Sequence, residues 1–228
     1  MDIFGKALQD YYLKGKTGTL WLHNSYDVPE EMPIDVFFRN EVEMPDLEIT
    51  ALEHCKGTIL DIGAGVGSHA LYLQKKGMDV TAIDISGGAV SIMKKRGVKK
   101  AFEQDIFTFE KRFDTLLLLM NGIGLTGTLA GFSNFLIRAK TLINPGGQLI
   151  FDSSNISYLY TDLQKPTNRY FGEVSYRYAY QNQLGNWFDW LYIDQETLAT
   201  LSKSHGWECE IMMDDGEDQY LARLTIMS

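Results

Sequence analysis

The stretch Ile59-Leu60-Asp61-Ile62-Gly63-Ala64-Gly65-Val66-Gly67 decides the fold of this chain. A β-rich run at Thr58–Ile62 precedes its glycines, and a helical pattern over Val66–Lys76 follows them. A glycine-rich turn between a strand and a helix is typical of a nucleotide-binding βαβ unit. The free N–H groups at the start of such a helix favour an anionic group of the ligand.

The three glycines of this turn have different predicted roles. Gly63 permits a tight turn out of the strand, Gly65 lets a ligand approach the backbone, and Gly67 lets the helix pack close to the sheet. The dinucleotide fingerprint needs a further glycine at the position where this chain has Ser68. That departure favours a nucleoside cofactor other than a dinucleotide.

Outward from this turn, β-rich runs alternate with helical patterns. Further strands are predicted at Asp79–Ile83, Val98–Phe102, Phe113–Met120 and Gln148–Asp152, and two closing strands at Trp207–Met213 and Gln219–Met227. Alternation of this kind is typical of a parallel sheet with right-handed helical crossovers. The closing pair is close enough in sequence to be antiparallel. The predicted fold class is therefore α/β and doubly wound.

The 228 residues are expected to form one domain, 1–228, with three parts. Residues 1–54 are predicted to form an N-terminal helical cap, residues 55–155 a cofactor-binding half, and residues 156–228 a C-terminal half with a β-hairpin insertion near 168–193. The cap is expected to contain short helices at Asp2–Lys14, Pro33–Arg39 and Pro45–His54. The hairpin is expected because two aromatic, alternating runs flank a turn that contains Gly185.

Polar residues follow three more of the predicted strands. Asp84 ends the second strand, Asp105 and Ile106 follow the third, and Asn121 follows the fourth. Ligands of open α/β sheets bind outside the carboxyl ends of the strands. A carboxylate about 20 residues beyond the glycine turn suits a ribose, because it accepts from both hydroxyls.

The pattern Asp-x-Gly-x-Gly-x-Gly from Asp61 to Gly67 resembles motif I of the class I S-adenosylmethionine-dependent methyltransferases, and the resemblance covers about Thr58 to Asp152. It implies a mostly parallel seven-stranded sheet with an antiparallel last strand. It also implies that the turn, including Ala64, holds the methionine end of the cofactor, and that Asp61 orients its ammonium group.

The same resemblance implies roles at the other strand ends. Asp84 would accept from the ribose hydroxyls, Ile85 would lie against the adenine, Asp105 would accept from its amino group, and the N–H of Ile106 would meet its ring. Asn121 would lie beside the transferable methyl group.

The implied activity is in-line transfer of a methyl group from S-adenosylmethionine to a small-molecule acceptor, which leaves S-adenosylhomocysteine. The catalytic residues stay unknown, because this displacement requires no protein nucleophile. Asn121-Gly122-Ile123-Gly124 stands where DNA amino methyltransferases have Asn-Pro-Pro-Tyr, which disfavours a nucleobase amine. Two alternatives stay open: an NAD(P)-dependent oxidoreductase and a non-catalytic S-adenosylmethionine-binding protein.

The composition of the chain limits the classes of partner that it is expected to bind. With 30 acidic and 21 basic residues, the chain has a formal charge of −9, whereas nucleic-acid binding needs a basic face. No run approaches the roughly 20 apolar residues of a membrane span, so no membrane partner is expected. The four histidines and two cysteines have no zinc spacing, so no metal is expected. We expect free thiols and a cytoplasmic location, and the oligomeric state stays unknown.

Several residues allow two interpretations. Each is either part of a ligand pocket or an ordinary packing or surface residue: Tyr11, Trp21, His23, Tyr26, Arg39, His69, Tyr176, Tyr178, Trp187, Trp190 and Tyr192. For Arg39 the functional interpretation is pairing with the cofactor carboxylate.

Overall fold

The computed structural model describes residues 1–15, 18–161 and 164–227. Its strands are β1 (Leu20–Asn24), β2 (Glu30–Met32), β3 (Thr58–Ile62), β4 (Asp79–Asp84), β5 (Ala101–Glu103), β6 (Phe113–Leu118), β7 (Ile143–Ser154), β8 (Glu173–Tyr180), β9 (Gln183–Leu184), β10 (Phe188–Leu191), β11 (Trp207–Asp214) and β12 (Gln219–Ile226). Its α-helices are α1 (Ile3–Lys14), α2 (Asp46–Glu53), α3 (Ser68–Lys75), α4 (Gly87–Arg96), α5 (Leu129–Leu142) and α6 (Gln195–Ser204). No helix of the described residues is both long and apolar enough to cross a bilayer.

Seven strands form the main sheet in the order β11-β12-β7-β6-β3-β4-β5. The pairs from β7 to β5 are parallel, whereas β12 is antiparallel to both of its neighbours. The predicted doubly wound sheet with an antiparallel last strand is therefore confirmed. The chain reverses its direction of winding at β3, which lies between β4 and β6, so the turn after β3 stands at the topological switch point.

Strand β6 shows how the main sheet is covered on both faces. Leu116 and Leu118 pack in the same apolar cluster as Phe132 of α5, whereas Leu117 packs with Leu73 of α3 on the opposite face. Successive side chains of a strand point to opposite faces, so an uninterrupted apolar run suits a strand with helices on both sides. The burial of this run anchors β6, whose carboxyl end leads to Asn121.

A second sheet, in the order β10-β8-β1-β2, lies outside the main one. The predicted hairpin is present, because β8 and β10 pair antiparallel. The other edge of β8 pairs with β1, so the N-terminal segment contributes two strands besides its helices. The prediction of a helical cap at residues 1–54 did not include β1 and β2, which are only five and three residues long.

Helix α1 is attached to the strand-end region through Asp2. Its Oδ1 accepts from Gly5 N at 2.7 Å, while its Oδ2 accepts from Ser86 Oγ at 2.7 Å and Gly88 N at 3.0 Å. One carboxylate thus caps α1 and contacts the start of α4. The backbones meet closely, since a Cβ on Gly88 would lie 2.6 Å from Gly5 Cα. The N-terminal segment is thereby held beside Asp84.

Candidate functional site

The turn after β3 has a backbone that glycine favours. Gly63, Gly65 and Gly67 have φ of +68°, +56° and +81°, in the region that other residues rarely adopt. Ala64 N donates to Ile83 O at 3.0 Å, which ties the turn to the end of β4. An added Cβ would make ordinary van der Waals contacts at the first two glycines, with Leu125 Cδ2 at 3.8 Å from Gly63 and Phe37 Cδ1 at 3.9 Å from Gly65.

Gly67 differs from these two because the space around it is filled. A Cβ there would lie 2.7 Å from Val98 Cγ2 and 3.0 Å from Met93 Cγ. The close approach predicted for Gly67 is real, but its partners are α4 and the turn after it rather than the sheet. The sequence pattern could not identify these partners, because they come from a later βα unit.

Asp84 closes the turn from the neighbouring strand. It is buried, its Oδ2 accepts from Gly65 N at 2.9 Å, and its Oδ1 accepts from Ser86 N at 2.8 Å. Burial raises the pKa of this carboxyl to about 6, although its backbone hydrogen bonds act in the opposite direction. Each carboxylate oxygen can still accept a second hydrogen bond.

Asp61, at the end of β3, is a buried acceptor in need of a donor. Its side chain is 1% exposed, and Oδ2 makes no hydrogen bond with the described residues. Burial raises the pKa of this carboxyl to about 6, and the charge of His69 partly offsets that effect. A buried polar atom without a partner costs about 1–3 kcal/mol, so this oxygen is suited to a cationic or N–H-bearing ligand group.

Beside Asp61 lies an ionic cluster, which we define as Arg39, Glu48 and His69. Glu48 Oε1 accepts from the Arg39 guanidinium, and Glu48 Oε2 lies 2.8 Å from His69 Nε2. Burial lowers the pKa of His69, but the Glu48 hydrogen bond and the charge of Asp61 outweigh it, so the net pKa is raised. A protonated His69 stabilises the ionised form of Asp61.

The sequence analysis missed Glu48 of this cluster. The predicted helix at Pro45–His54 is present as α2, which buries Leu47, Glu48, Ala51 and Leu52. A glutamate inside a buried helical stripe signals a paired charge, because an isolated buried charge is too costly. Including the positions next to Leu47 and Ala51 in the buried face of the predicted helix identifies Glu48 as a candidate.

Asn121 follows β6 and lies next to a third buried carboxyl. Its backbone N–H donates to both carboxylate oxygens of Asp152 at 2.9 Å, and its Oδ1 accepts from Ser154 Oγ at 3.0 Å. Burial raises the pKa of Asp152 to about 7. Met120 and Asn121 have φ of +63° and +54°, a strained backbone of the kind that concentrates at functional sites.

The three residues predicted to meet an adenine flank the turn on its other side. Ile85 is 78% exposed directly after Asp84. Asp105 is exposed and accepts from Phe107 N at 2.9 Å, whereas Ile106 is buried in the core of the main sheet. All three follow β4 or β5, at the same carboxyl edge as the glycine turn.

A cavity of about 520 Å³ opens beside Asn121 and Ser154, between this edge and the second sheet. We call it the tyrosine cavity, because its wall carries Tyr26, Tyr158, Tyr176 and Tyr192. Lysine, arginine and histidine are missing from its described lining. The tyrosines come from four separate segments of the chain, so no local motif could have revealed that they meet in one cavity.

The other residues with two interpretations fall outside this cavity. Trp187 is half exposed under the guanidinium of Arg177, and an added Cβ on Gly124 would lie 2.0 Å from Trp190 Nε1. Tyr178 stacks on Phe4 with ring centroids 5.3 Å apart. Tyr11 packs against Phe38, Trp21 is exposed and His23 is half-buried. Of the described residues, no three His, Cys, Asp or Glu side chains form a group that could hold a metal ion.

Comparison with known proteins adds the family. A family model described as a methyltransferase domain matches residues 41–210. A crystal structure of an S-adenosylmethionine-dependent methyltransferase from Bacteroides fragilis, in complex with S-adenosylhomocysteine, is 41% identical, with a TM-score of 0.94, and the match covers 100% of this chain and 95% of that one.

Two other matches carry less information. A sugar N-methyltransferase from Streptoalloteichus has the same fold at 15% identity, with a TM-score of 0.59 over 94% of this chain and 98% of that one. A 23S rRNA (uracil-C5) methyltransferase from Pyrococcus horikoshii is 36% identical over 62 residues. That match covers 26% of this chain and only 15% of the length of the relative.

Proposed function

This chain belongs to the S-adenosylmethionine-dependent methyltransferases, and we propose that its acceptor is a small molecule bound in the tyrosine cavity. One observation carries the proposal: Asn121 belongs to both halves of the site. It lines the cavity, and its backbone hydrogen-bonds Asp152 beside the ionic cluster and Asp61. An acceptor beside Asn121 would therefore adjoin the end of the cofactor site where the family resemblance places the methyl group.

The residues of the strand ends fit the cofactor. The Oδ2 of Asp61 would accept from its ammonium group, and Arg39 Nε, which like Asp61 Oδ2 is buried with no partner among the described residues, would donate to its carboxylate. The remaining lone pairs of Asp84 would accept from the ribose hydroxyls. We also propose that Gly63, Ala64, Gly65 and Gly67 cradle the methionine end, and that Ile85, Asp105 and Ile106 surround the adenine.

The chain itself contributes orientation and exclusion of water. When bound, S-adenosylmethionine supplies a methyl carbon activated by a sulfonium. The side chains around Asn121 would hold the acceptor in line with that carbon, and correct placement alone supplies a large part of the acceleration of such a displacement. The second sheet covers this region, and a dry site strengthens the interaction of Asp61 with a cation.

A small acceptor agrees better with the charge of the site than an RNA does. The chain carries a formal charge of −9, and the described lining of the tyrosine cavity has no basic side chain to meet a phosphate. The matching segment of the rRNA methyltransferase is too short to transfer its acceptor to this protein.

Two measurements test the proposal. Calorimetry should detect binding of S-adenosylhomocysteine to the folded protein. Incubation of the enzyme and methyl-labelled S-adenosylmethionine with a fractionated cell extract should then label the small-molecule fraction. Label confined to the RNA or protein fraction would overturn the proposed acceptor class.

A further inference from the structure

Among the described residues that line the tyrosine cavity, every formally charged side chain is acidic. Glu30, Glu31, Asp215, Glu217 and Asp218 border the cavity, and all five are exposed. They come from two places, the start of β2 and the turn between β11 and β12, which border the same cavity. Charges of one sign around a low-dielectric cleft attract ligands of the opposite sign.

The interior beyond this rim is lined by tyrosine rings with neutral hydroxyls. Tyr176 is 5% exposed, and Tyr26 and Tyr192 are half-buried around it. Burial, with the charge of Glu30 as a smaller cause, raises the pKa of all three, so they stay protonated at neutral pH. Tyrosine faces attract cations through the quadrupole of the ring.

The hydroxyls form a chain from the interior to the rim. Tyr192 Oη lies 3.3 Å from Tyr176 Oη, and Tyr176 Oη lies 3.4 Å from Tyr26 Oη. Tyr26 Oη in turn donates to Glu30 Oε1 at 3.1 Å. Hydroxyls donate and accept at once, so this chain can move a proton between the cavity and Glu30.

From the acidic rim, the tyrosine interior and the position beside Asn121, we propose that the acceptor is a small cationic amine. The inference rests on the proposed function, because it assigns the substrate class of that same cavity. The rim would draw in the ammonium form, and the rings would hold it. A carboxylate or phosphate would instead be repelled by the rim and would find no basic side chain in the described lining.

Methylation of an amine also needs a proton to leave, which the hydroxyl chain accommodates. An ammonium nitrogen has no lone pair, so R–NH3+ first gives one proton to Glu30 along the hydroxyls. The lone pair of R–NH2 then forms the N–C bond while the C–S pair stays on sulfur. The products are R–NH2+–CH3, S-adenosylhomocysteine and the proton now held by Glu30, so atoms and charge balance.

The experiment measures binding rather than turnover. Protein saturated with S-adenosylhomocysteine is titrated calorimetrically with three scaffolds, phenylethyl, hexyl and cyclohexylmethyl, each as the amine, the alcohol and the carboxylate. We expect at least one amine to bind, and to bind at least about tenfold tighter than its alcohol and carboxylate partners. Absence of binding by all three amines, or equal binding of an amine and its alcohol, would overturn the inference.

Two matched variants test whether amine binding depends on the acidic rim of the tyrosine cavity. Glu30→Gln should weaken amine binding about fivefold to tenfold, as expected for loss of one partly solvated charge. Glu53→Gln makes the same charge change at an exposed residue of α2 outside the cavity lining and should have no effect. Equal weakening by both variants would contradict the assignment.

The same titrations separate the two proposals. Failure of S-adenosylhomocysteine itself to bind would contradict the proposed function. Binding of S-adenosylhomocysteine without any preference for amines would leave that function standing and remove only the acceptor class.

Discussion

The glycine turn with Asp84 is formed mainly by backbone groups, whereas the tyrosine cavity is formed by side chains, although both adjoin the same sheet edge. In the turn, backbone conformation makes the site: positive φ at Gly63 and Gly65, and backbone N–H groups that donate to Asp84. In the cavity, side chains from β8, the segment after β10, the 3-10 helix 156–160 and the N-terminal segment make the site.

This difference explains which region carries the shared chemistry and which carries specificity. A backbone-made site tolerates little change, because each position depends on a particular φ or close approach. A site made of side chains on a second sheet can change its acceptor without disturbing the main one. Mutations should therefore affect cofactor affinity at the turn and acceptor preference at the cavity.

The largest expected effect is on cofactor affinity. Asp84→Ala removes the acceptor for Gly65 N and the proposed ribose contacts. Hydrogen bonds to a charged group contribute about 1.5–3 kcal/mol each, so S-adenosylhomocysteine should bind at least about a hundredfold more weakly by calorimetry.

Asp79→Ala is the control for this change. Asp79 lies at the other end of β4, where its exposed carboxylate pairs with Lys100, and exposed pairs contribute little. Affinity equal to wild type in Asp84→Ala would show that the ribose assignment is wrong.

The next effect is on stability and separates Gly67 from other glycines with positive φ. Gly67→Ala should lower the free energy of unfolding by about 2–4 kcal/mol, from left-handed strain and the contacts with Val98 and Met93. Gly97 has a φ of +97°, but no described atom lies within 4 Å of an added Cβ. Gly97→Ala should therefore lower the free energy of unfolding by about 1 kcal/mol. Chemical denaturation measures both, and equal losses would mean that the contact at Gly67 relaxes freely.

The same contrast explains how much the sequence could predict. The main sheet and the positions of Asp61, Asp84 and Asn121 at strand ends were predictable. The periodicity of apolar residues and the residue types of turns are local signals in the sequence. The boundaries were less so: β7 was predicted to start at Gln148, but it starts at Ile143 and runs through the Asn-Pro-Gly-Gly turn with irregular pairing.

The tyrosine cavity was not predictable in the same way. Tyr176 and Tyr192 were singled out only as residues with two interpretations, and Tyr158 and Glu30 were not named at all. Their proximity depends on β1 pairing with β8, a contact between segments about 150 residues apart. Long-range pairing of short strands leaves no periodic signal.

A change of pH should have a smaller effect on stability and on cofactor affinity, and this effect arises in the region of the glycine turn. Burial raises the pKa of Asp61 and Asp84 to about 6, so the free protein binds extra protons between about pH 4 and 6. Their contribution to stability is therefore present at low pH and lost as pH rises through 6, whereas cofactor affinity should rise, because the ammonium needs ionised Asp61.

Calorimetry should show S-adenosylhomocysteine binding at least about tenfold tighter at pH 7.5 than at pH 5. Asp61→Asn removes one of three buried carboxyls with a raised pKa, the others being Asp84 and Asp152, so its affinity should depend less on pH. An unchanged profile in that variant would assign the pH dependence to another group.

The smallest effect compares two tyrosine hydroxyls. Tyr220 Oη donates to Ile193 O at 2.6 Å inside the core of the main sheet, whereas the hydroxyl partners of Tyr176 Oη in the cavity lie at 3.3 and 3.4 Å. Tyr220→Phe should lower the free energy of unfolding by about 1–2 kcal/mol, because it leaves a buried carbonyl without a donor, and Tyr176→Phe by less than about 1 kcal/mol. Denaturant midpoints at constant slope measure the two losses. A larger loss in Tyr176→Phe would mean that the cavity hydroxyls hold the fold together rather than serve the acceptor.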